Sequence, residues 1–338
     1  MQESGESVQK PPYADLTPET VLAAVDSFGA RTSGTLLALN SYENRVYQVG
    51  LEDGGFIVAK FYRPGRWTDA QIDEEQTFTR ELAEREIPVV APLADEDGRT
   101  LFVHAGYRYA VFPRRGGRAP ELDDPEHLRR LGRVIGRIHA VGSINAFEHR
   151  PSLDVASFGH ASYHYLAEHG FVPAEVSHNI AQAAERVLEL VEDAFAAVGP
   201  VRRLRLHGDC HPGNILWTDQ GPHFVDLDDA RMGPAIQDLW MLVSGTAEAM
   251  GAQMRTILDG YREFFEFDPL ELRLVEPLRA LRILHYAAWL ARRWHDPAFP
   301  RHFPWFNTPR YWEEQLNTLR ELAERLVDPG CEIIVKTL

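Results

Sequence analysis

The hydrophobic pattern of this chain changes at Pro113, and that change limits the fold more than any other feature. Before it, short runs rich in β-branched and aromatic residues alternate with turn signals. Residues 45–49 and 56–62 read as strands, and Asp53-Gly54-Gly55 between them reads as a hairpin turn. Residues 89–92 and 108–112 read as further strands. Helical spacing appears twice in this part. Thr17-Pro18 opens a short helix with Val21, Leu22, Val25 and Phe28 on one face, and residues 68–84 carry Ile72, Phe78 and Leu82 at helical intervals. Past the glycine-rich connection at 114–118, helical patterns dominate from Pro125 onward. Short strand signals at 204–206, 215–217 and 223–225 interrupt them. Strands first and helices afterwards predict an α+β chain. A small antiparallel sheet lobe with one main helix is expected over residues 13–113, and a larger, mainly helical lobe over 114–338. Residues 1–12 are polar, end in Pro11-Pro12, and are read as a flexible tail.

The chain is acidic overall, with a formal charge of -15. A field of that sign repels phosphate backbones and anionic lipid, which argues against a nucleic-acid or membrane partner. The longest apolar candidate, 278–294, is broken by Arg279, Arg282, His285, Arg292 and Arg293, so no membrane span is expected. Residues 1–7 carry neither a basic stretch nor an apolar core, which predicts a cytoplasmic address. Cys210 and Cys331 are too few and too far apart for a disulfide framework or a zinc site built on cysteine pairs.

The chemistry concentrates in residues 206–217, Leu206-His207-Gly208-Asp209-Cys210-His211-Pro212-Gly213-Asn214-Ile215-Leu216-Trp217, and in Val225-Asp226-Leu227-Asp228-Asp229. Asp209 and Asn214 are five apart on a tight loop with glycine and proline. Asp226 follows at the end of an apolar strand. Phosphoryl transfer needs this combination: one carboxylate to accept the proton of the attacking hydroxyl, and an amide oxygen with a second carboxylate to hold the metal that neutralises a triphosphate. The Asp209-to-Asn214 spacing is that of a kinase catalytic loop, and Asp226 stands where a kinase carries its metal-binding aspartate. Lys60, in Val58-Ala59-Lys60 on a predicted strand, has the place of a phosphate-pairing lysine. Glu75, on the apolar side of the following helix, is its expected partner, and Glu74 is expected to face solvent. A Gly-x-Gly-x-x-Gly loop is absent from the first lobe. The turn from Leu39 to Asn44 stands in its place; Ser41 and its neighbouring amides either bind phosphate or form an ordinary polar turn. His207 is expected to hold the loop by backbone hydrogen bonds rather than to ligate a metal, and Cys210 to be packed and unreactive. The aromatic stretch Tyr286, Trp289, Trp294, Phe299, Phe303, Trp305 and Phe306 is read as core. Arg282, Arg292 and Arg293 are expected to pair with local carboxylates.

The loop at 206–217 resembles the signature of the aminoglycoside phosphotransferase and choline kinase superfamily. Further strings narrow the likeness: Leu39 to Gln48, Lys60 to Pro64, Val225 to Arg231, Gly233 to Leu242 and Trp294 to Pro300 resemble the bacterial stress response kinases, from about Leu16 to Trp312. The resemblance implies a two-lobed, protein-kinase-like fold with ATP bound between the lobes and a hinge at Phe112-Pro113. It implies an ATP- and magnesium-dependent serine/threonine protein kinase of the bacterial cytoplasm that acts in stress survival. Asp209 would be the proton acceptor, Asn214 and Asp226 the magnesium ligands, and Ser41, Lys60, Glu75 and Phe112 residues of the ATP site. Partners would be ATP and protein hydroxyls, on a monomeric enzyme. Autophosphorylation is expected, with Ser4 and Ser7 of the tail as candidate acceptors. Gly208 departs from the kinase pattern: it replaces the arginine that reads a phosphorylated activation loop, so regulation through that charge pair is not expected. The alternative is a kinase of a small hydroxylated amine or sugar, and Asp228 and Asp229 are the carboxylates that would receive an amine.

Overall fold

The computed structural model describes residues 11–327, so Ser4, Ser7 and Cys331 lie outside the described residues. The chain forms two compact units, and neither is continuous in sequence. The sheet unit takes the chain up to Asp73, then 92–114 and 292–304. The helical unit takes 74–91, 115–291 and the chain from Trp305 on.

The sheet unit begins with helix α1 (Pro18–Ser27). Thr17 accepts a hydrogen bond from the Thr20 N–H at 3.3 Å, and Pro18 fills the first helical position. Five strands follow: β1 (Thr32–Ala38), β2 (Arg45–Leu51), β3 (Phe56–Phe61), β4 (Phe102–His104) and β5 (Tyr107–Pro113). Every pairing is antiparallel, in the order β1-β2-β3-β5-β4, so β3 is central. The turn between β2 and β3 closes as expected, with Gly54 at positive φ and the Gly55 N–H donating to Asp53 Oδ1 at 2.9 Å. Val49, Ala59, Phe61, Tyr109 and Val111 meet Val21, Ala24 and Val25 of α1 in the core.

Two strand readings need correction. Strand β1 escaped the sequence reading because its Thr-Ser-Gly-Thr start is largely exposed and shows no apolar alternation. Residues 89–92, read as a strand, are not part of the sheet. They make one isolated parallel bridge, Val89 to Phe224, within the helical unit. The Val90 N–H donates to the Phe224 carbonyl at 2.9 Å, and the flanking Pro88 and Pro92 lack the donors a longer ladder needs.

Helix α2 (Asp69–Glu84) passes from one unit to the other between Asp73 and Glu74. The helical unit then holds α3 (Pro125–Gly142), α4 (Ala161–Glu168) and α5 (Ala174–Val198). Two small strand pairs follow: β6 (Leu204–Leu206) with β9 (Arg231–Gly233), and the hairpin β7 (Ile215–Thr218) with β8 (Gly221–Phe224). Helices α6 (Ala247–Tyr261) and α7 (Val275–Arg292) come next. The short α8 (Ala298–His302) belongs to the sheet unit, and α9 (Pro309–Val327) closes the helical unit. Helices α3 and α6 touch backbone to backbone. A Cβ on Gly132 would overlap the Ile257 carbonyl, and one on Gly260 the Arg129 carbonyl.

Two segments leave the order that a single cut near residue 113 would give. Most of α2 belongs to the helical unit because Glu74 accepts the N–H groups of Glu148, His149 and Arg150 at 2.6, 2.9 and 2.8 Å, and Glu81 pairs with Arg205 at 2.9 Å. Residues 292–304 return to the sheet unit through Arg293 and Asp296, whose partners are described below.

Candidate active site

The loop between β6 and β7 is anchored from beneath by one buried carboxylate. Asp238 accepts the His207 N–H at 2.8 Å on Oδ2 and the Gly208 N–H at 2.9 Å on Oδ1. His139 of α3 meets the same Oδ2 at 3.1 Å, and its other ring nitrogen meets the Tyr261 hydroxyl at 2.9 Å. Gln237 donates to the Gly208 carbonyl at 3.1 Å, and the His207 ring bonds the Val225 carbonyl at 2.9 Å. His207 is thus the loop strut the sequence predicts. Gly208 has a steric reason to be glycine: its φ is +85°, and a Cβ there would overlap the Asp229 carbonyl oxygen. An arginine at this position is excluded by geometry.

Asp209 rises from that anchor. Arg282 of α7 donates to its Oδ1 at 2.6 Å, and the His211 ring lies 3.5 Å from Oδ2. Burial opposes the Asp209 charge and so does Asp229, but the contact with His211 and the Arg282 guanidinium outweigh them, and the pKa falls to about 2. The expected pairing of Arg282 with a local carboxylate is present, and the carboxylate is the candidate base itself. Cys210 is buried, and burial with the Asp238 and Asp209 charges pushes its thiol pKa well up, which suits an unreactive side chain.

Asn214 ends the loop and donates its amide to the Asp209 carbonyl at 3.0 Å. The Val225 N–H donates to the Asn214 carbonyl at 3.0 Å, which ties the residue before Asp226 to Asn214. Asp226 itself lies in the left-handed region, at φ 59° and ψ 62°, a conformation uncommon outside glycine. Among the described residues no group of three or more His, Cys, Asp or Glu could cage a metal. One amide and one carboxylate are hard oxygen donors of the number magnesium takes from protein when phosphates and water supply the rest, so the donor set fits that ion. Asp228 is buried, and Arg150 donates to its carbonyl oxygen. Asp229 accepts from Arg231 at 2.6 Å.

Glu75 lies in the helical unit, 4% exposed, with the Thr79 hydroxyl donating to its carboxylate at 3.1 Å. Glu74, expected in solvent, instead caps the turn at 148–150. The remaining candidates are in the sheet unit. Lys60 is no edge lysine: it is 7% exposed on the central strand, opposite Val46 and Ala110, with its Nζ 5.3 Å from the Tyr62 ring centre. Phe112 pairs with Val58 and packs on Tyr62, Ile72 and Ala110.

Ser41 lies in the turn between β1 and β2, and a charge cluster braces that turn. Arg293 meets Glu43 at 2.5 Å, with Arg63 at 3.6 Å and Arg66 at 4.0 Å from the other oxygen. Arg63 also bonds Asp296 at 3.0 Å, and its backbone N–H donates to Asn44 Oδ1 at 3.1 Å. Tyr42 packs edge-on against Phe303, ring centres 4.9 Å apart. The sequence reading placed Arg293 beside a carboxylate but assigned no role to Glu43, Asp238 or His139. Of the aromatic stretch read as core, Phe299, Phe303 and Phe306 are buried, whereas Tyr286 and Trp305 are exposed.

The family model described as "Phosphotransferase enzyme family" matches residues 35–275. The chain is 45% identical over 321 residues, 95% of its length and 97% of the other's, to stress response kinase A of Salmonella choleraesuis (strain SC-B67). It is 44% identical over the same span to the serine/threonine protein kinase RdoA of Salmonella typhimurium. In fold it is similar to an amicoumacin kinase solved in complex with AMP-PNP, Ca2+ and Ami, at a TM-score of 0.67 and 19% identity over 88% of this chain and 89% of that one.

Proposed function

The chain belongs to the phosphotransferase enzyme family and is an ATP-dependent phosphotransferase, and on that premise we propose that it is a magnesium-dependent protein kinase whose acceptors are serine and threonine hydroxyls, its own among them. The observation that carries the acceptor class is the near-full-length likeness to a relative named as a serine/threonine protein kinase. The loop geometry supports the chemistry. Oδ2 of Asp209 is the oxygen that does not take the Arg282 hydrogen bond, and it is assigned the acceptor hydroxyl. The hydroxyl oxygen attacks the γ-phosphorus, the bond from that phosphorus to the bridging oxygen breaks, ADP departs, and the proton passes to Asp209. A carboxylate of such low pKa is a weak base. It therefore works chiefly by orienting the hydroxyl and takes the proton late, as the new P–O bond forms. Asn214 and Asp226 would hold magnesium, which supplies the positive charge a triphosphate requires. Ser41, Lys60 and Phe112 are assigned to the nucleotide, and Glu75 to the charge balance of that chemistry.

Incubation of the purified protein with magnesium and γ-labelled ATP, followed by mass spectrometry, tests the reading. Label is expected on serine or threonine. Asp209→Asn should lower it by about 10² to 10⁴ while ATP still binds. Label on choline, homoserine or an aminoglycoside, with none on protein, would replace the protein acceptor by a small molecule.

A further inference from the structure

Asp209 is not the only carboxylate at the loop that meets an arginine. Asp229 pairs with Arg231 at 2.6 Å, and Asp228 is 3% exposed. The carboxylates that a cationic acceptor would have to reach are thus matched by arginine or withdrawn from solvent. The Arg282 side chain differs from that of Arg231 in being substantially exposed, at 41%, while its Nη1 holds Asp209 Oδ1 at 2.6 Å. Its helix α7 also carries Arg279, paired with Glu276 at 3.5 Å, and His285, stacked on Phe158 with ring centres 4.1 Å apart. No acidic side chain of α7 is available to turn this face negative near the base, since Glu276 is taken by Arg279.

We infer that Arg282 is the positioning residue that fixes the Asp209 carboxylate and, by its charge, disfavours acceptors that carry an ammonium group close to the reacting hydroxyl. The inference rests on the reading of Asp209 as proton acceptor. The protein's net charge of -15 would draw amines from a distance. At the base itself the nearest charge is positive, so an ammonium group brought beside Asp209 meets the like charge of the Arg282 guanidinium held there at 2.6 Å. A serine or threonine hydroxyl needs one carboxylate oxygen only and leaves the ion pair intact.

The test compares wild type, Arg282→Gln and Arg282→Lys with dephosphorylated casein, kanamycin and choline as acceptors. Arg282→Gln is expected to lower kcat on casein about tenfold to a hundredfold, the effect of a misplaced catalytic group. KM for ATP should stay within about twofold, because the loss falls on transfer rather than on nucleotide binding. The ratio of kanamycin or choline turnover to casein turnover should rise by at least about tenfold. Arg282→Lys should restore part of kcat and the preference for casein, since it restores the charge but not the guanidinium's hydrogen-bonding geometry. Casein labelled by wild type, with Arg282→Gln unchanged in kcat and selectivity, would overturn the role of Arg282 and leave the protein-kinase reading standing. Wild type that labels kanamycin or choline and no protein would overturn both.

Discussion

At φ 59° and ψ 62°, Asp226 holds a backbone conformation that costs a side-chain-bearing residue roughly 1–2 kcal/mol. Glycine takes that conformation without strain but loses more freedom on folding. Asp226→Gly is therefore expected to relieve that backbone strain, which offsets the loss of the side chain's own contacts, while phosphoryl transfer disappears with the carboxylate. Urea unfolding beside a labelled-ATP assay gives both quantities. A loss of more than about 1 kcal/mol would mean that the side chain serves the fold, and that its strain is not kept for chemistry. The neighbouring anchor works differently. Asp238 and the loop are held by ordinary hydrogen bonds among buried groups, and each partner removed would leave a buried donor without an acceptor. The charge on Asp209 also has a pH signature. Its pKa is lowered from 3.8 to about 2, so its share of stability is present above the ordinary value and is lost as pH falls through about 2.

Short elements, more than long helices, place these residues. The turn Pro269–Leu274 is capped by Asp268, which accepts the Leu270 N–H at 2.9 Å, and it carries Glu271. Glu271 accepts the Ile236 N–H at 2.9 Å, and so props the segment that leads into Asp238. Burial raises its pKa from 4.5 to about 7, against the Ile236 hydrogen bond and with help from Asp268. The folded protein then keeps this proton to a higher pH than the unfolded chain. The stability it contributes is full below the ordinary glutamate value and is lost as pH rises through about 7, an amount on the order of 3 kcal/mol. Glu271→Gln should flatten the stability profile across that window while keeping the acceptor for Ile236. Urea midpoints at several pH values would show it, and a variant as steep as wild type would remove Glu271 as the source. Elements also mark how far the sequence could be read. Asp209, Asn214 and Asp226 stand out in the sequence as candidates because one loop and one strand carry them at fixed spacing, and the apolar side of α2 assigns Glu75 to the interior, where it is buried. Glu74 was misread because its partners at 148–150 lie far along the chain. Arg282 and Asp238 reach the loop from 73 and about 30 residues away, distances over which no periodicity speaks. Strand β1 was lost because its exposed start hides the alternation on which strand readings depend.

On the scale of the whole molecule, the sequence order conceals that residues 292–304 complete the sheet unit. A chain cut once at Pro113 would leave Glu43 beside Arg63 and Arg66 with no Arg293, and Arg63 without Asp296. Four arginines, Arg45, Arg63, Arg66 and Arg293, gather on the two carboxylates Glu43 and Asp296, and the turn holding Ser41 hangs from Glu43 and Asn44. Breaking such a buried pair from one side is costly because a charge stays behind. Arg293→Ala still leaves Glu43 two cations within reach, so a cost of about 2–3 kcal/mol is expected, at the low end for buried pairs. That cost should fall on the sheet unit. Hydrogen exchange should quicken in β2, which carries Arg45, and in β3, which ends two residues before Arg63, while the core of α3 and α6 keeps its protection. Because Glu43 stands two residues from Ser41, KM for ATP should rise more than kcat falls if that turn binds the nucleotide. Replacing Glu43 and Arg293 together by apolar residues of similar size separates the two effects: stability should return in part, since Arg63 keeps Asp296 while Arg66 loses Glu43, and ATP affinity should not. Recovery of both in the double variant would show that the cluster only fastens the segment, and that the turn at Ser41 owes its nucleotide role to nothing Arg293 does.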